Sequence, residues 1–487
     1  MKFLIYLAPE ITLLTLAIIL IFADLAVPQD KKEYLGYFSV AGLIGAWFTV
    51  IPLAKQEVSL LGGSLIVDRM AVFYKELFLI VAILTVLVSI KYIRDISRFQ
   101  GEYYALIIFC TLGNMLMAAS GELISLFVAL QLGSIPLAIL AGYAKRDPKS
   151  NEAGFKYLLL ALLSNGVLLY GISLIYGMTG TTELSKIYIE ILALTKAAGG
   201  VTETLFKQPA FALGLVMLVA GFGFKITAVP VHMWVPDVYE GAPTPVTAFL
   251  SVGSKAAGFA MVIRVVAGAF GAINIDWPLI WALIATATMT VGNLSALPQT
   301  NIKRLLAYSS IAQAGYIMIG LAGFSMLGIS ATLLYLFGYV FTNMAAFTVV
   351  IIFSKFTKSD EISDYAGLSR RSPVLALALL IALLSLGGLP LFAGFITKFY
   401  VFAAAVERGL VWLVIVASIN SVISLYYYLK VAKIVYVDQP IEKEAIPVPP
   451  SLALGLGIAT IGIFVLGIYP QPFMNITQLA AQSILIR

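Results

Sequence analysis

The chain has little charge, one cysteine and one histidine, and each shortage removes a class of function. Of its 487 residues only 11% are charged and 61% are hydrophobic, whereas soluble domains carry roughly 25% charged residues. That composition excludes an ordinary soluble enzyme. The lone cysteine, Cys110, lies in an apolar run, which excludes a disulfide framework within the chain and a cysteine-ligated cluster. One histidine, His232, cannot supply a metal site of several imidazoles, and the sequence has no Gly-rich nucleotide loop and no HExxH. The net charge of +6 is spread over short loops, so no basic patch offers itself to nucleic acid. Any redox or nucleotide chemistry belongs to partners.

What is abundant is apolar sequence in runs of about twenty residues, the length that crosses about 30 Å of hydrocarbon as a helix. The runs fall near 3–25, 35–54, 70–91, 104–121, 123–143, 154–177, 209–229, 244–269, 277–297, 305–324, 327–353, 373–405, 411–435 and 449–469. They predict an all-α polytopic membrane protein of about fourteen helices; a β-barrel would show short alternating segments instead. The first run is longer than a signal-peptide core and reads as a retained helix. The seventh run continues through Pro230 and Pro236, and the twelfth is interrupted by GGLPLFAG, Gly387 to Gly394. Both read as discontinuous helices, whose freed backbone groups are tolerated only inside protein or beside water. Residues 178–208 read as a loop with an interfacial helix, and 438–450 as a polar connector.

Loops after odd-numbered helices hold eighteen Lys and Arg, those after even-numbered helices six. By the positive-inside rule this places both termini outside, which requires an even number of crossings. An internal repeat is also present. Thr111–Asn114 (TLGN) returns as Thr290–Asn293 (TVGN), and Tyr157, Ser164 and Asn165 return as Tyr335, Thr342 and Asn343. Helices 4–8 thus match helices 9–13. Five is odd, so the second unit crosses in the opposite sense, an inverted-repeat transporter architecture. The expected divisions are 1–102 for three N-terminal helices, 103–270 and 271–437 for the two units, and 438–487 for a connector and C-terminal helix.

Apart from those counted with the loops, five basic residues lie within the runs: Lys75, Lys225, Lys255, Arg264 and Lys398. A charged lysine at the bilayer centre costs about 2.5–3.5 kcal/mol on insertion scales, so a lysine kept there points to function. Lys225 precedes the first break, Lys255 follows roughly 18 Å into helix 8, and Lys398 follows the second break. Burial disfavours a lysine's charge and a nearby anion favours it, so a buried lysine can trade a proton when its surroundings change. Arg264 and Lys75 lie near span ends, where snorkelling or a structural ion pair explains them, Lys75 beside Glu76. His232 can pass protons near neutral pH or bond the freed backbone of the break. Asp237 and Glu240 follow the break, where they serve either the path or a hydrated turn. Asn165, Asn343, Ser309, Ser310 and Gln313 fit helix–helix hydrogen bonding and a water path equally.

The stretch HMWVPDVYEGAPTPVTAFLSVGSKAAGF (His232–Phe259) resembles the antiporter-like subunits of respiratory complex I, and most closely those of the subunit N type. The likeness extends over Glu152–Gly180, Asn301–Tyr316 and Gly387–Phe399, and so over most of the chain. It implies a proton-translocating membrane subunit of an NADH-quinone oxidoreductase, with quinone, FMN and iron–sulfur clusters held by partner subunits. The implied partners are other membrane-arm subunits, peripheral electron-transfer subunits and the lipid bilayer of a prokaryotic plasma membrane. The family's relay carries over onto Lys225, Lys255 and Lys398. Its glutamate on helix 5 does not, because LFVALQL puts Gln131 at that position. An amide neither releases a proton nor stabilises Lys225 as a cation, so Lys225 is expected to sit unpaired. Two other readings fit the same features: a subunit of an Mrp-type cation/proton antiporter, or a scaffold that moves nothing, which Gln131 favours.

Overall fold

The computed structural model describes residues 2–198, 200, 208–271, 275–440 and 444–485; Lys207 and Lys443, which entered the loop charges, lie outside them. Long helices dominate. In chain order they are α1 (Ala8–Ala26), α2 (Glu33–Val50), α3 (Arg69–Ile93), α4 (Gln100–Ala119), α5 (Leu123–Ala141) and α6 (Pro148–Thr179). After them come α7a (Pro209–Lys225), α7b (Trp234–Gly241), α8 (Thr244–Ala269), α9 (Trp277–Ala296), α10 (Ile302–Gly323) and α11 (Met326–Thr357). The last are α12a (Pro373–Gly387), α12b (Ala393–Glu407), α13 (Val411–Tyr436) and α14 (Pro450–Ile468). Among the described residues twelve helices are long and apolar enough to cross a membrane; α7a and α12a are apolar but shorter.

Local chemistry sets where the helices begin. Asp68 caps α3 by accepting from the Ala71 amide at 2.8 Å, and Asn301 caps α10 through the amides of Lys303 and Arg304. Such caps satisfy amides that the first turn leaves orphaned. α6 starts at Asp147 and Pro148 and ends in left-handed Gly180, the usual pairing of start and stop signals.

Helix packing then sorts the elements. α8, α10 and α11 are almost wholly enclosed, whereas α2, α6 and α13 are buried along only about a third of their length. The first three therefore form the interior, and the others turn one side to lipid. α4 meets α5 where a Cβ on Gly113 would stand 2.3 Å from the Gly133 amide, and α9 meets α10 where one on Gly292 would stand 2.6 Å from the Ala312 amide. These are the backbone approaches that small residues permit between membrane helices.

Ion pairs tie the helix ends into two faces. On one, Lys91 and Arg94 at the end of α3 hold Glu33 at the start of α2, and Lys355 at the end of α11 reaches Asp95. The junction of α6, α7b and α10 lies on that face. On the other, Arg264 at the end of α8 joins Asp68 at 2.5 Å and donates to the Ala118 carbonyl that ends α4.

Two elements differ from the expectation. A short antiparallel hairpin, β1 (Val58–Leu60) with β2 (Leu65–Val67), stands between α2 and α3. A C-terminal helix, Gln471–Leu485, follows α14 and packs on α11 and α3, with Ser483 accepting from the Met70 amide. Its buried Thr477, Ala480, Ala481 and Ile484 follow the helical period, but its polar half keeps it below the hydrophobicity of a span. A helix, Leu184–Ala198, stands within the stretch after α6 where one was expected.

Candidate functional site

Both helix breaks have several of their backbone groups paired. Between α7a and α7b, the Ala228 amide turns back to the Gly223 carbonyl at 2.8 Å, and the Val229 amide donates to the Thr288 hydroxyl of α9 at 3.1 Å. The Trp234 indole covers the Phe224 carbonyl. Between α12a and α12b, the Gly394 amide donates to Ser385 Oγ at 3.1 Å. Unpaired backbone in hydrocarbon costs several kcal/mol per group; these bonds allow each break to sit within the bundle.

Each break carries a buried lysine, and α8 carries a third between them. Lys225, Lys255 and Lys398 are 4%, 1% and 4% exposed, so none snorkels to water. Lys225 closes α7a and donates to Ser134 Oγ of α5 at 2.9 Å. Lys255 follows a π-helical turn, Leu250–Ser254, a local widening that often marks a functional site. Its ammonium meets Ser310 of α10 at the backbone carbonyl and, at 2.5 Å, at Oγ, with the Tyr339 ring 5.5 Å away. Lys398 reaches back to the C-terminal carbonyls of α12a, Leu386 at 3.0 Å and Gly387 at 3.1 Å. It also donates to Ser421 Oγ at 2.8 Å and stands 4.5 Å from the Tyr316 ring. Hydroxyls, helix C-terminal carbonyls and aromatic faces thus take the place of anions; each is a weaker partner for a cation than a carboxylate.

Hydrogen-bonding side chains fill the spaces between the lysines. Tyr157 of α6 is buried near Ser134 and Ser254, and Ser254 is the chain neighbour of Lys255. Ser310 Oγ accepts from Tyr339 at 2.9 Å and lies 3.4 Å from the Tyr239 hydroxyl. Its neighbour Ser309 meets the Tyr428 hydroxyl at 2.5 Å. Gln313 Nε2 lies 3.5 Å from that hydroxyl and 3.1 Å from the Leu386 carbonyl, which Lys398 shares. Tyr335 donates to Gln313 Oε1. Buried polar groups therefore lie along the way from Lys225 through Lys255 to Lys398, in stretches of hydrogen bonds that meet at chain neighbours.

The other residues singled out in the sequence take different places. Gln131 does not meet Lys225; its carbonyl accepts from Asn165 of α6, and Lys225 donates instead to the neutral hydroxyl of Ser134, one turn further along α5. Asp237 and Glu240 stand outside the line in a network with Lys149, Lys156 and Arg304, which ties α6, α7b and α10 at one face. His232 lies half-buried in the turn between α7a and α7b, and its Nδ1 has no hydrogen-bond partner among the described residues. No hydrogen bond among the described residues joins that ring to the lysines. Lys75 pairs with Glu10 at 2.7 Å, not with its neighbour Glu76. Glu122, at the start of α5, accepts from Thr182, Ser64 and Ser125. Those hydroxyls, Thr182 foremost, hold its carboxyl below the usual range. Among the described residues no three His, Cys, Asp or Glu side chains cluster to hold a metal ion.

Ser134, Tyr157, Ser254, Tyr339, Ser421 and Tyr428 were not singled out as members of the path. Their signal is faint in the sequence, since serine and tyrosine are common in membrane helices and only the fold brings their hydroxyls together.

A family model described as NADH:quinone oxidoreductase/Mrp antiporter, transmembrane, matches residues 120–424. NADH-quinone oxidoreductase subunit N of Desulforamulus reducens is 48% identical, over 98% of each chain. The chain belongs to that family. The subunit N of Moorella thermoacetica is 45% identical over 96% of each chain. A chain of respiratory complex I from Thermus thermophilus aligns at 32% identity with a TM-score of 0.79, covering 96% of this chain and 98% of that one. A chain of the Mrp complex from Dietzia sp. reaches a TM-score of 0.84 at 20% identity, covering 99% and 97%. That likeness concerns the fold alone. The subunit N membership agrees with the resemblance carried by His232–Phe259.

Proposed function

We propose that this subunit N moves protons along the line from Lys225 through Lys255 to Lys398. The energy comes from quinone reduction in partner subunits of an NADH-quinone oxidoreductase in a prokaryotic plasma membrane. The observation that carries the reading is the series of buried hydrogen-bonding groups between three lysines that have no carboxylate partner among the described residues. A hydroxyl both donates and accepts, so each serine or tyrosine can take a proton from one side and release one to the other. A lysine deep in low dielectric holds its charge at a cost, and small changes in its surroundings move the proton on. Quinone, FMN and iron–sulfur clusters would belong to those partners, and this chain's part is to hold and pass protons.

The architecture that goes with this reading is fourteen crossings, with both termini on the outer face and divisions at 1–102, 103–270, 271–437 and 438–487. Two inverted five-helix units are supported by contacts that recur. Gly113 against Gly133 is matched by Gly292 against Ala312, and Tyr157 near Ser134 by Tyr335 on Gln313. Every second-unit residue there lies 178 or 179 positions after its counterpart.

The test is proton transfer by the assembled complex carrying Lys255→Met or Lys398→Met. Each variant assembles and reduces quinone but translocates fewer protons per quinone than the parent. An unchanged ratio in both would leave the scaffold reading standing. Copurification of small antiporter subunits in place of flavin and iron–sulfur subunits would transfer the line to an Mrp-type antiporter.

A further inference from the structure

α11 carries four buried polar side chains at helical spacing, Tyr335, Tyr339, Thr342 and Asn343. Each meets an element that shapes a lysine site. Tyr335 donates to Gln313 Oε1, and Tyr339 to Ser310 Oγ, the acceptor of Lys255. The Asn343 amide donates to Ser251 Oγ of α8, and Thr342 Oγ1 lies 2.9 Å from Ser385 Oγ of α12a. The tyrosines thus reach polar side chains between the lysines. Thr342 and Asn343 instead reach the helices that carry Lys255 and lead into Lys398.

Ser251 belongs to the π-helical turn, Leu250–Ser254, that immediately precedes Lys255. Its hydroxyl donates to the Ala248 carbonyl at 2.7 Å and accepts from Asn343, which uses both capacities of the group. Such turns are rare, and an α-helical turn in its place would hold one residue fewer. Lys255 would then stand about 100° round the helix axis from its present direction, and its ammonium would leave Ser310. Ser385 has the matching place at the second break. Its hydroxyl accepts from the Gly394 amide at 3.1 Å, which holds the start of α12b against the end of α12a. Lys398 follows one turn into α12b, and its acceptors, the Leu386 and Gly387 carbonyls, directly follow Ser385.

We propose that Asn343 and Thr342 are positioning residues for the relay: Asn343, through Ser251, keeps the π turn that aims Lys255 at Ser310, and Thr342, through Ser385, keeps the break that sets Lys398 on its carbonyls. The two are chain neighbours on one helix, so α11 fixes the two lysines relative to each other. Helix–helix hydrogen bonds that only hold the bundle together would add stability and leave the proton count alone; positioning sets the proton count as well. The proposal rests on the lysine relay, and its failure is distinguishable from failure of that relay.

The protons per quinone lost on Lys398→Met in the assembled complex define this subunit's share. Asn343→Leu and Thr342→Val keep the branched shape of each side chain without its hydrogen-bonding group, and each is expected to lose most of that share in complex that still assembles and reduces quinone. In Asn343→Leu the pH profile of the remaining share is expected to move by about one pH unit, the scale of one lost hydrogen bond to a charged group. Thr342→Ser, which keeps the hydroxyl, is expected to retain the parent ratio. Ser251→Ala removes the Asn343 contact from the other side and is expected to match Asn343→Leu, with the two together losing no more than either alone. Should Asn343→Leu not assemble, Ser251→Ala decides by the same readings. A parent ratio in assembled Asn343→Leu or Thr342→Val, additive losses from Asn343→Leu and Ser251→Ala, or a loss in Thr342→Ser equal to that in Thr342→Val overturns the positioning. A parent ratio in both Lys255→Met and Lys398→Met overturns the relay itself.

Discussion

The Lys225 ammonium stands 2.9 Å from the Ser134 hydroxyl, and among the described residues no ion pair includes this lysine. A hydrogen bond to a charged group contributes about 1.5–3 kcal/mol, and leaving a buried charged partner unsatisfied costs at least as much. Ser134→Ala is thus expected to lower both the thermal stability of the assembled complex and its proton transfer. Ser134→Thr, which keeps the hydroxyl, restores the proton transfer. Proton counts at the parent value in Ser134→Ala would remove Ser134 from the path.

Gln131→Glu tests the same neighbourhood from the other direction. Gln131 lies one turn before Ser134 on α5 and is held by Asn165. A carboxylate there can still accept from the Asn165 amide, which donates to Gln131 Oε1. It also brings a negative charge near Lys225, which favours the lysine's protonated form. The expected outcome is altered protons per quinone with normal assembly. An unchanged ratio would mean that the charge at 131 does not govern Lys225.

How much of this could be read in advance follows from the scale of each signal. The three lysines were legible because a basic residue inside an apolar run is conspicuous at the level of composition. The two breaks were legible because Pro230 and Gly387–Gly394 interrupt the periodicity they sit in. The intervening hydroxyls were not, because their role depends on which helices meet: Ser134 of α5 receives Lys225 of α7a and Ser310 of α10 receives Lys255 of α8, relations with no trace in spacing. Lys75 shows the same limit. Sequence proximity pointed to Glu76, but successive residues on a helix point in different directions, and the fold brings Glu10 from α1 instead.

Arg264 and Asp68 make a buried pair with both side chains almost fully enclosed. Removing one partner of such a pair costs about 3–5 kcal/mol, because the other is left as an uncompensated charge. Arg264→Met is therefore expected to reduce assembly severely, as measured by the amount of intact complex recovered from membranes. Arg264→Met with Asp68→Asn recovers part of the loss. It does not recover all of it, since Arg264 also holds the Ala118 carbonyl. Equal recovery of the single variant and the parent would show that α3, α4 and α8 do not depend on this clamp.

Gly388 permits the tightest local test of the relay. Its φ of +85° is the left-handed region, and an added Cβ would stand 2.9 Å from Lys398 Cδ. Gly409, just past α12b, has a φ of +81° with nothing within 4 Å of such a Cβ. Alanine at either site therefore carries a similar backbone penalty, of order 1–3 kcal/mol for a strained conformation. Only at 388 does the new methyl also push the Lys398 chain away from the Leu386 and Gly387 carbonyls and from Ser421. Gly409→Ala is expected to lower the melting temperature of the complex and leave protons per quinone at the parent value. Gly388→Ala lowers both. The difference between the two ratios isolates the position of the Lys398 ammonium from backbone strain, and equal ratios would mean that the line tolerates displacement of its last lysine.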